Sequence, residues 1–290
     1  MREAPVTVHL DVLELISRLK AADEAFVLAT VVRTVSVTAA KAGAKAVIRP
    51  DGTIVAGWIG GGCARGATLT AAREALADGK SRLVSIQPED LLAELGVKPG
   101  EDREGIKFAK NMCPSQGTMD IFIEPIFPRP ALLILGSSPV AEALAEEARP
   151  LGYHVTLAAP LTEFPTTPEA DVLIDGFEIG ELTDTRRFVV VSTQGKGDEA
   201  ALRAALSIDA EYHGFVGSRR KMSALRQKLV AEGFDAATLD RIKAPAGLDI
   251  GAITPEEIAM SILAEITVRR RLGQRGESGL KGVVAAPSHA

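Results

Sequence analysis

From Ala131 to Arg271 the chain alternates short apolar runs with helix-patterned segments, and few architectures satisfy that alternation. The runs Ala131–Leu135, His154–Ala159, Asp171–Asp175, Phe188–Ser192 and His213–Val216 read as strands. Between and after them, Pro139–Arg149, Asp198–Ser207, Ser218–Glu232 and Pro255–Arg271 read as helices. Strands joined by helical crossovers pair in parallel, so this half predicts a Rossmann-like, doubly wound parallel sheet. Thr254-Pro255-Glu256-Glu257 opens the last helix as a capping box with proline at its first position.

The first half has a different pattern and predicts an α+β domain. Val12, Leu15, Ile16 and Leu19 recur at helical spacing, placing an amphipathic helix over about 9–22. Phe26–Val32 reads as a buried strand followed by a loop at Val35–Thr38, and Lys45–Arg49 and Thr53–Ala56 as strands joined by the turn Pro50-Asp51-Gly52. Arg82–Ile86 and Met119–Glu124 are further strands, and the polar segment from Pro88 to Lys110 suggests one short helix. Three prolines within Pro125–Pro130 predict a semi-rigid linker. The expected organisation is an N-terminal domain over 1–128, a Rossmann-like domain over 129–271 and a flexible tail over 272–290.

A formal charge of −5 disfavours a nucleic-acid surface, and 4% aromatic residues leave little to stack on bases. Two cysteines, Cys63 and Cys113, are too few for a secreted disulfide scaffold or an all-cysteine zinc site. His9, His154, His213 and His289 have no metal-ligand spacing, so no resident metal site is expected. Neither a signal peptide nor a membrane-length apolar run is evident, which predicts a cytoplasmic protein without stable membrane insertion.

The stretch with most chemical content is Gly57-Trp58-Ile59-Gly60-Gly61-Gly62-Cys63, between an apolar strand and the helix-compatible run Ala67–Ala77. Gly60, Gly61 and Gly62 allow close backbone approach to a ligand. Cys63 then falls near a helix start, where the partial positive charge favours anions, thiolates included. A buried, inert cysteine in a glycine turn is the competing reading. Cys113 lies in the loop Asn111–Thr118 and is a weaker candidate; a packing role at a strand entry competes there too. Trp58 either packs or walls the glycine loop.

Gly136-Ser137-Ser138 follows the first strand of the second half in the manner of a dinucleotide fingerprint, but Ser138 stands where a second glycine would admit a pyrophosphate. The next strand ends Ala159-Pro160, without an acidic residue for a ribose. Both departures argue against NAD(P) and leave an altered phosphate pocket or a structural turn. Gly217-Ser218-Arg219-Arg220-Lys221 sets three cations at a helix N-terminus, against the helix dipole, which suggests an anion above them. Thr193–Asp198 is placed to face the same crevice.

Taken together, Gly43-Ala44-Lys45, Asp51-Gly52, Gly60–Cys63, Cys113–Thr118, Gly217–Lys221 and Gly247–Ala252 with Thr254–Ala259 resemble the XdhC/CoxI family over nearly the whole chain except the tail. The resemblance implies a cytoplasmic maturation chaperone, rather than a turnover enzyme, for molybdenum hydroxylases such as xanthine dehydrogenase and aerobic carbon monoxide dehydrogenase. Such a factor binds molybdenum cofactor (molybdopterin or its dinucleotide form), supports its sulfuration and delivers it to the apo-molybdenum hydroxylase, with a cysteine desulfurase or another maturation factor as further partner. On that resemblance Cys63, and less so Cys113, contact molybdenum or sulfur. Gly60, Gly61, Gly62, Gly136, Ser137, Ser138, Gly217, Ser218, Arg219 and Arg220 hold the cofactor. A dinucleotide-dependent oxidoreductase and a non-catalytic assembly partner are the alternatives, and homo-oligomerisation is left open.

Overall fold

The computed structural model describes residues 11–114, 116–180, 182 and 185–271. The compact units divide between Pro128 and Arg129. His9, the expected start of the first helix, and the expected tail 272–290 lie outside the described residues.

The first unit is a seven-stranded sheet with helices on both faces. Its elements in order are α1 (Val12–Ala21), β1 (Phe26–Val35), β2 (Lys45–Ile48), β3 (Ile54–Gly57), α2 (Gly62–Asp78), β4 (Arg82–Gln87), α3 (Glu89–Glu94), β5 (Asp102–Arg103), β6 (Ile106–Lys110) and β7 (Thr118–Ile126). The sheet order is β3-β2-β1-β7-β4-β6-β5, antiparallel except for the β4–β6 pair. Side chains alternate across a strand, and β1 shows the consequence. Val27, Ala29 and Val31 pack with Ala64, Ala71, Ala72 and Ala75 of α2, whereas Phe26 and Leu28 pack with Leu15, Ile16 and Leu19 of α1. A one-residue slip would exchange the two sets, so the register is strongly specified. Asp11 caps α1 by accepting from the Leu13 amide, and α2 ends at Gly79 with φ 72°.

Several elements run longer than their sequence signals. β1 continues to Val35, through the residue read as the start of a loop. β7 takes in Pro125 and Ile126, which the proline run assigns to a linker. Its pairing with β4 stops at Ile123, so Pro125 has no β4 neighbour and its missing amide is tolerated. The segment Pro88–Lys110 holds two strands besides the short helix, because Ile106 and Phe108 pack with Leu92 and Val97. Between them Lys107 points to the other face and pairs with Glu74 of α2. Two apolar residues separated by a lysine are too short a pattern to read as a strand.

The second unit contains the expected doubly wound sheet. It comprises β8 (Ala131–Leu135), α4 (Pro139–Ala148), β9 (His154–Ala159), β10 (Val172–Asp175), β11 (Arg187–Val191), α5 (Asp198–Leu206), β12 (Tyr212–Phe215), α6 (Arg219–Ala231), α7 (Ala236–Asp240) and α8 (Pro255–Arg271). The order is β10-β9-β8-β11-β12, every pair parallel. Leu132 and Ile134 of β8 pack toward Leu144 of α4 and Ile262 of α8, while Leu133 and Leu135 pack toward Leu202 of α5 and Leu229 of α6. The chain winds from β8 to β10 in one direction and restarts at β11 on the other side of β8. The β8 and β11 ends therefore flank the switch point at which such sheets bind ligands. α7 spans too few residues to show a period; Asp235 caps it by accepting from the Thr238 amide. Among the described residues no helix is long and apolar enough to cross a membrane.

Candidate functional site

β3 ends at Gly57, whose φ is 82° and whose added Cβ would lie 2.0 Å from the Lys45 carbonyl oxygen. The chain then turns through Trp58 and the fully buried Ile59 into the glycine run. Gly60 and Gly62 hold φ of 100° and 52°, and Gly61 is the N-cap of α2 without a capping side chain. The helix therefore begins inside the glycine run, and Cys63 is its second residue. Trp58 is 58% exposed, with its ring against Gly61.

Cys63 is half-buried and Cys113 exposed, and both thiols are free. They line one cleft of about 60 Å³, together with Val37, Thr38, Ala39, Gly61, Ala64, Ile86, Asn111, Gly117 and Met119. The Met112 amide donates to Cys63 Sγ at 3.3 Å, so the residue preceding Cys113 touches the other thiol. Asn111 clamps the loop that carries Cys113. Its Nδ2 donates to the Gly117 carbonyl at 2.6 Å, and its Oδ1 accepts from the Cys113 amide at 2.9 Å. Gly117 is required where the loop crosses the end of β1, because an added Cβ would lie 2.2 Å from the Val37 carbonyl oxygen. Two sequence candidates from distant parts of the chain are thus brought together. Asn111, Val37 and Thr38 are cleft residues that no motif chemistry singled out; the single available signal was that Asn111 opens the cysteine loop.

At the switch point of the second unit the fingerprint residues are engaged by the protein itself. Gly136 has φ 136°, and an added Cβ would lie 2.1 Å from the Ser192 carbonyl oxygen. Ser138 is buried; its Oγ accepts from the Ala141 amide at 3.1 Å and shares a 2.6 Å hydrogen bond with Ser192 Oγ. Ser137 Oγ donates to the Glu163 carboxylate, which puts an acceptor beside the turn where a pyrophosphate would need donors.

Of the three cations at the start of α6, Lys221 is tied down. Its Nζ lies 2.8 and 3.0 Å from the two oxygens of buried Asp198, which also accepts from the Thr193 hydroxyl, and 5.4 Å from the Phe215 ring centroid. That contact brings the Thr193–Asp198 loop and the α6 start together at one crevice. Arg219 and Arg220 are exposed and make no ion pair among the described residues. Ser218 caps α6, its Oγ accepting from the Lys221 amide at 3.2 Å, and an added Cβ on Gly217 would meet the Phe215 ring at 2.4 Å.

The Gly247–Ala252 and Thr254–Ala259 motifs are structural. Buried Glu265 accepts from the Tyr212 hydroxyl at 2.8 Å and the Gly247 amide at 2.9 Å, and Lys243 Nζ lies at 3.0 Å. Burial and the Glu265 charge push the Tyr212 phenol well above its ordinary pKa. The Ile253 and Thr254 amides hold the Glu257 carboxyl below its usual range as the capping box closes. His213 is half-buried against the Ala205 and Ile208 carbonyls, and burial lowers its pKa. Among the described residues no group of three or more His, Cys, Asp or Glu side chains could hold a metal ion.

An α+β unit with a two-thiol cleft, followed by a Rossmann-type unit with an engaged fingerprint, defines a particular class of two-unit α/β protein. Residues 19–87 match the XdhC and CoxI family and residues 132–266 match the XdhC Rossmann domain. The chain belongs to the XdhC and CoxI family. It is 30% identical over 254 residues to the uncharacterized protein YqeB of Escherichia coli (strain K12), covering 85% of this chain and 43% of that one. It is 32% identical over 162 residues to a probable xanthine dehydrogenase subunit of Bacillus subtilis (strain 168), covering 53% of this chain and 47% of that one. The matches thus span less than half the length of these relatives. A crystal structure described as a xanthine dehydrogenase from Bacillus halodurans is similar at a TM-score of 0.44 and 20% identity, covering 92% of this chain and 98% of that one.

Proposed function

We propose that this chain is an accessory protein of a molybdenum hydroxylase of the xanthine dehydrogenase type, which binds the molybdenum cofactor, supports its sulfuration and delivers it to the apoenzyme. The observation that carries the reading is the convergence of Cys63 and Cys113 on one cleft. Thiolates are soft ligands suited to a metal that brings sulfur ligands of its own. Cys63 and Cys113, lining a cleft of about 60 Å³, are the residues that would hold the metal-bearing end of such a group. When bound, the cofactor supplies a molybdenum whose terminal ligand can be exchanged for sulfur.

The residues of this chain have distinct tasks in that reading. Cys63 and Cys113 hold the metal-bearing end, the Met112 amide steadies the Cys63 sulfur, and Asn111 fixes the loop. Gly61 lines the cleft and leaves that part of its wall without a side chain. In the Rossmann-type unit, taken by itself, Arg219 and Arg220 at the start of α6 suit a phosphate group, to which guanidinium groups bind in a bidentate manner. Gly136 and Ser138 act as scaffold, because their space and hydrogen bonds are taken up within the protein. That engagement, with Glu163 at Ser137, also counts against nicotinamide chemistry. A cysteine desulfurase is the natural source of sulfur, and both the xanthine and the carbon monoxide dehydrogenase types are compatible clients.

The test is to purify the chain from a molybdenum-replete host and measure metal and pterin content. Wild-type protein is expected to carry both, and the Cys63→Ser and Cys113→Ser variants to lose most of the molybdenum. Protein that carries neither, yet binds NADH tightly, would overturn the reading.

A further inference from the structure

The two cysteines differ in a way that metal binding does not use. Cys113 is exposed on its clamped loop, whereas Cys63 is half-buried at the start of α2 and accepts from the Met112 amide at 3.3 Å. Both thiols line the same small cleft, and Cys113 directly follows the residue whose amide touches Cys63 Sγ. An outer thiol that a second protein can reach, backed by an inner thiol with a donor at its sulfur, is the arrangement of a loading and a resolving cysteine.

We propose that the pair converts the sulfane sulfur of a persulfide donor into sulfide inside the cleft. Cys113 takes the terminal sulfur from the donor to give Cys113–S–SH, and the donor leaves as a thiol. The Cys63 thiolate then attacks Cys113 Sγ. The Cys63–Cys113 disulfide bond forms, the bond from Cys113 Sγ to the terminal sulfur breaks, and its electron pair leaves with the terminal sulfur as HS⁻. Two thiols are oxidised to one disulfide while one sulfane sulfur is reduced to sulfide, and a cellular dithiol reductant restores the thiols. The Met112 amide, 3.3 Å from Cys63 Sγ, holds that sulfur in the cleft beside the loop that carries Cys113. The sulfide is set free in the cleft of about 60 Å³ that both cysteines line. Sulfide is the species that exchange at an oxo-metal centre consumes, so the inference rests on the sulfuration reading and specifies its sulfur chemistry.

The experiment loads the reduced full chain with glutathione persulfide, removes the donor by desalting, and follows intact mass and released sulfide. Wild type is expected to pass to the disulfide mass while releasing a matching amount of sulfide. Cys63→Ser is expected to stall as a persulfide on Cys113 and release none, and Cys113→Ser to load far more slowly. Circular dichroism confirms that each variant folds. Wild type that keeps its persulfide as long as Cys63→Ser does, or variants that release sulfide as fast as wild type, would overturn the proposal. Molybdenum content measured on the same preparations separates the two readings. Sulfide release without metal binding removes the cofactor assignment, and metal binding without sulfide release removes this step alone.

Discussion

Replacing Asn111 with Ala should loosen the Cys113 loop while leaving both units folded. Asn111 makes two hydrogen bonds there, a part-buried one to the Gly117 carbonyl and an exposed one from the Cys113 amide. A neutral hydrogen bond contributes about 0.5–1.5 kcal/mol, and exposure places the second at the low end, so the clamp contributes about 1.5–2 kcal/mol. Since 1.4 kcal/mol is tenfold in an equilibrium, loop opening should rise by on the order of 10- to 30-fold. Hydrogen exchange reads this directly, because the Met112 and Cys113 amides are bonded in the closed loop to Cys63 Sγ and Asn111 Oδ1. Both should lose protection in Asn111→Ala, with amides of β8 and β11 unchanged. Asn111→Asp retains the acceptor for Cys113 and loses the donor to Gly117, so it should fall between wild type and Asn111→Ala. Unchanged protection at Met112 and Cys113 in Asn111→Ala would refute the clamp.

Three further outcomes follow from the geometry. Gly136→Ala should destabilise the Rossmann-type unit by about 3 kcal/mol or more, since overpacking alone costs about 1–3 kcal/mol and a positive φ adds strain, whereas Gly66→Ala, helical and open to solvent, should raise the melting temperature. Because burial lowers the folded pKa of His213, its contribution to stability should be complete above the unfolded value of about 6.5 and fade as pH falls through the lower folded value, and His213→Gln should flatten that part of the thermal-melt profile. Replacing Arg219 and Arg220 together with Ala should weaken pyrophosphate binding in calorimetry by on the order of tenfold, more at low salt, without lowering the apo-protein's melting temperature, because neither guanidinium pairs within the described residues and both oppose the helix dipole.

What the sequence made legible follows from how many residues carry each signal. β8, β9 and α8 are strongly patterned and lie where their apolar runs and caps place them. β5, β6 and α7 are short, and their stability comes from contacts such as Phe108 with Leu92 that no local window contains. The Gly60–Cys63 turn was readable because glycines and a helix-compatible run mark it. The cleft was not, because it depends on antiparallel pairing that sets the end of β1 beside β7, and so on Val37 meeting Gln116 and Gly117. The engagement of Ser138 was half-visible. The serine announced a departure from the fingerprint, but its partner Ser192 comes from the other side of the switch point.

The central claim is that the Cys63–Cys113 cleft receives the metal-bearing end of the molybdenum cofactor. The most direct measurement is the alkylation rate of each cysteine by iodoacetamide, site by site, in apo-protein and with isolated molybdenum cofactor added. Added cofactor should protect both thiols in wild type, and cofactor lacking its metal should protect neither. Cofactor that binds while both cysteines alkylate at their apo rates would contradict it.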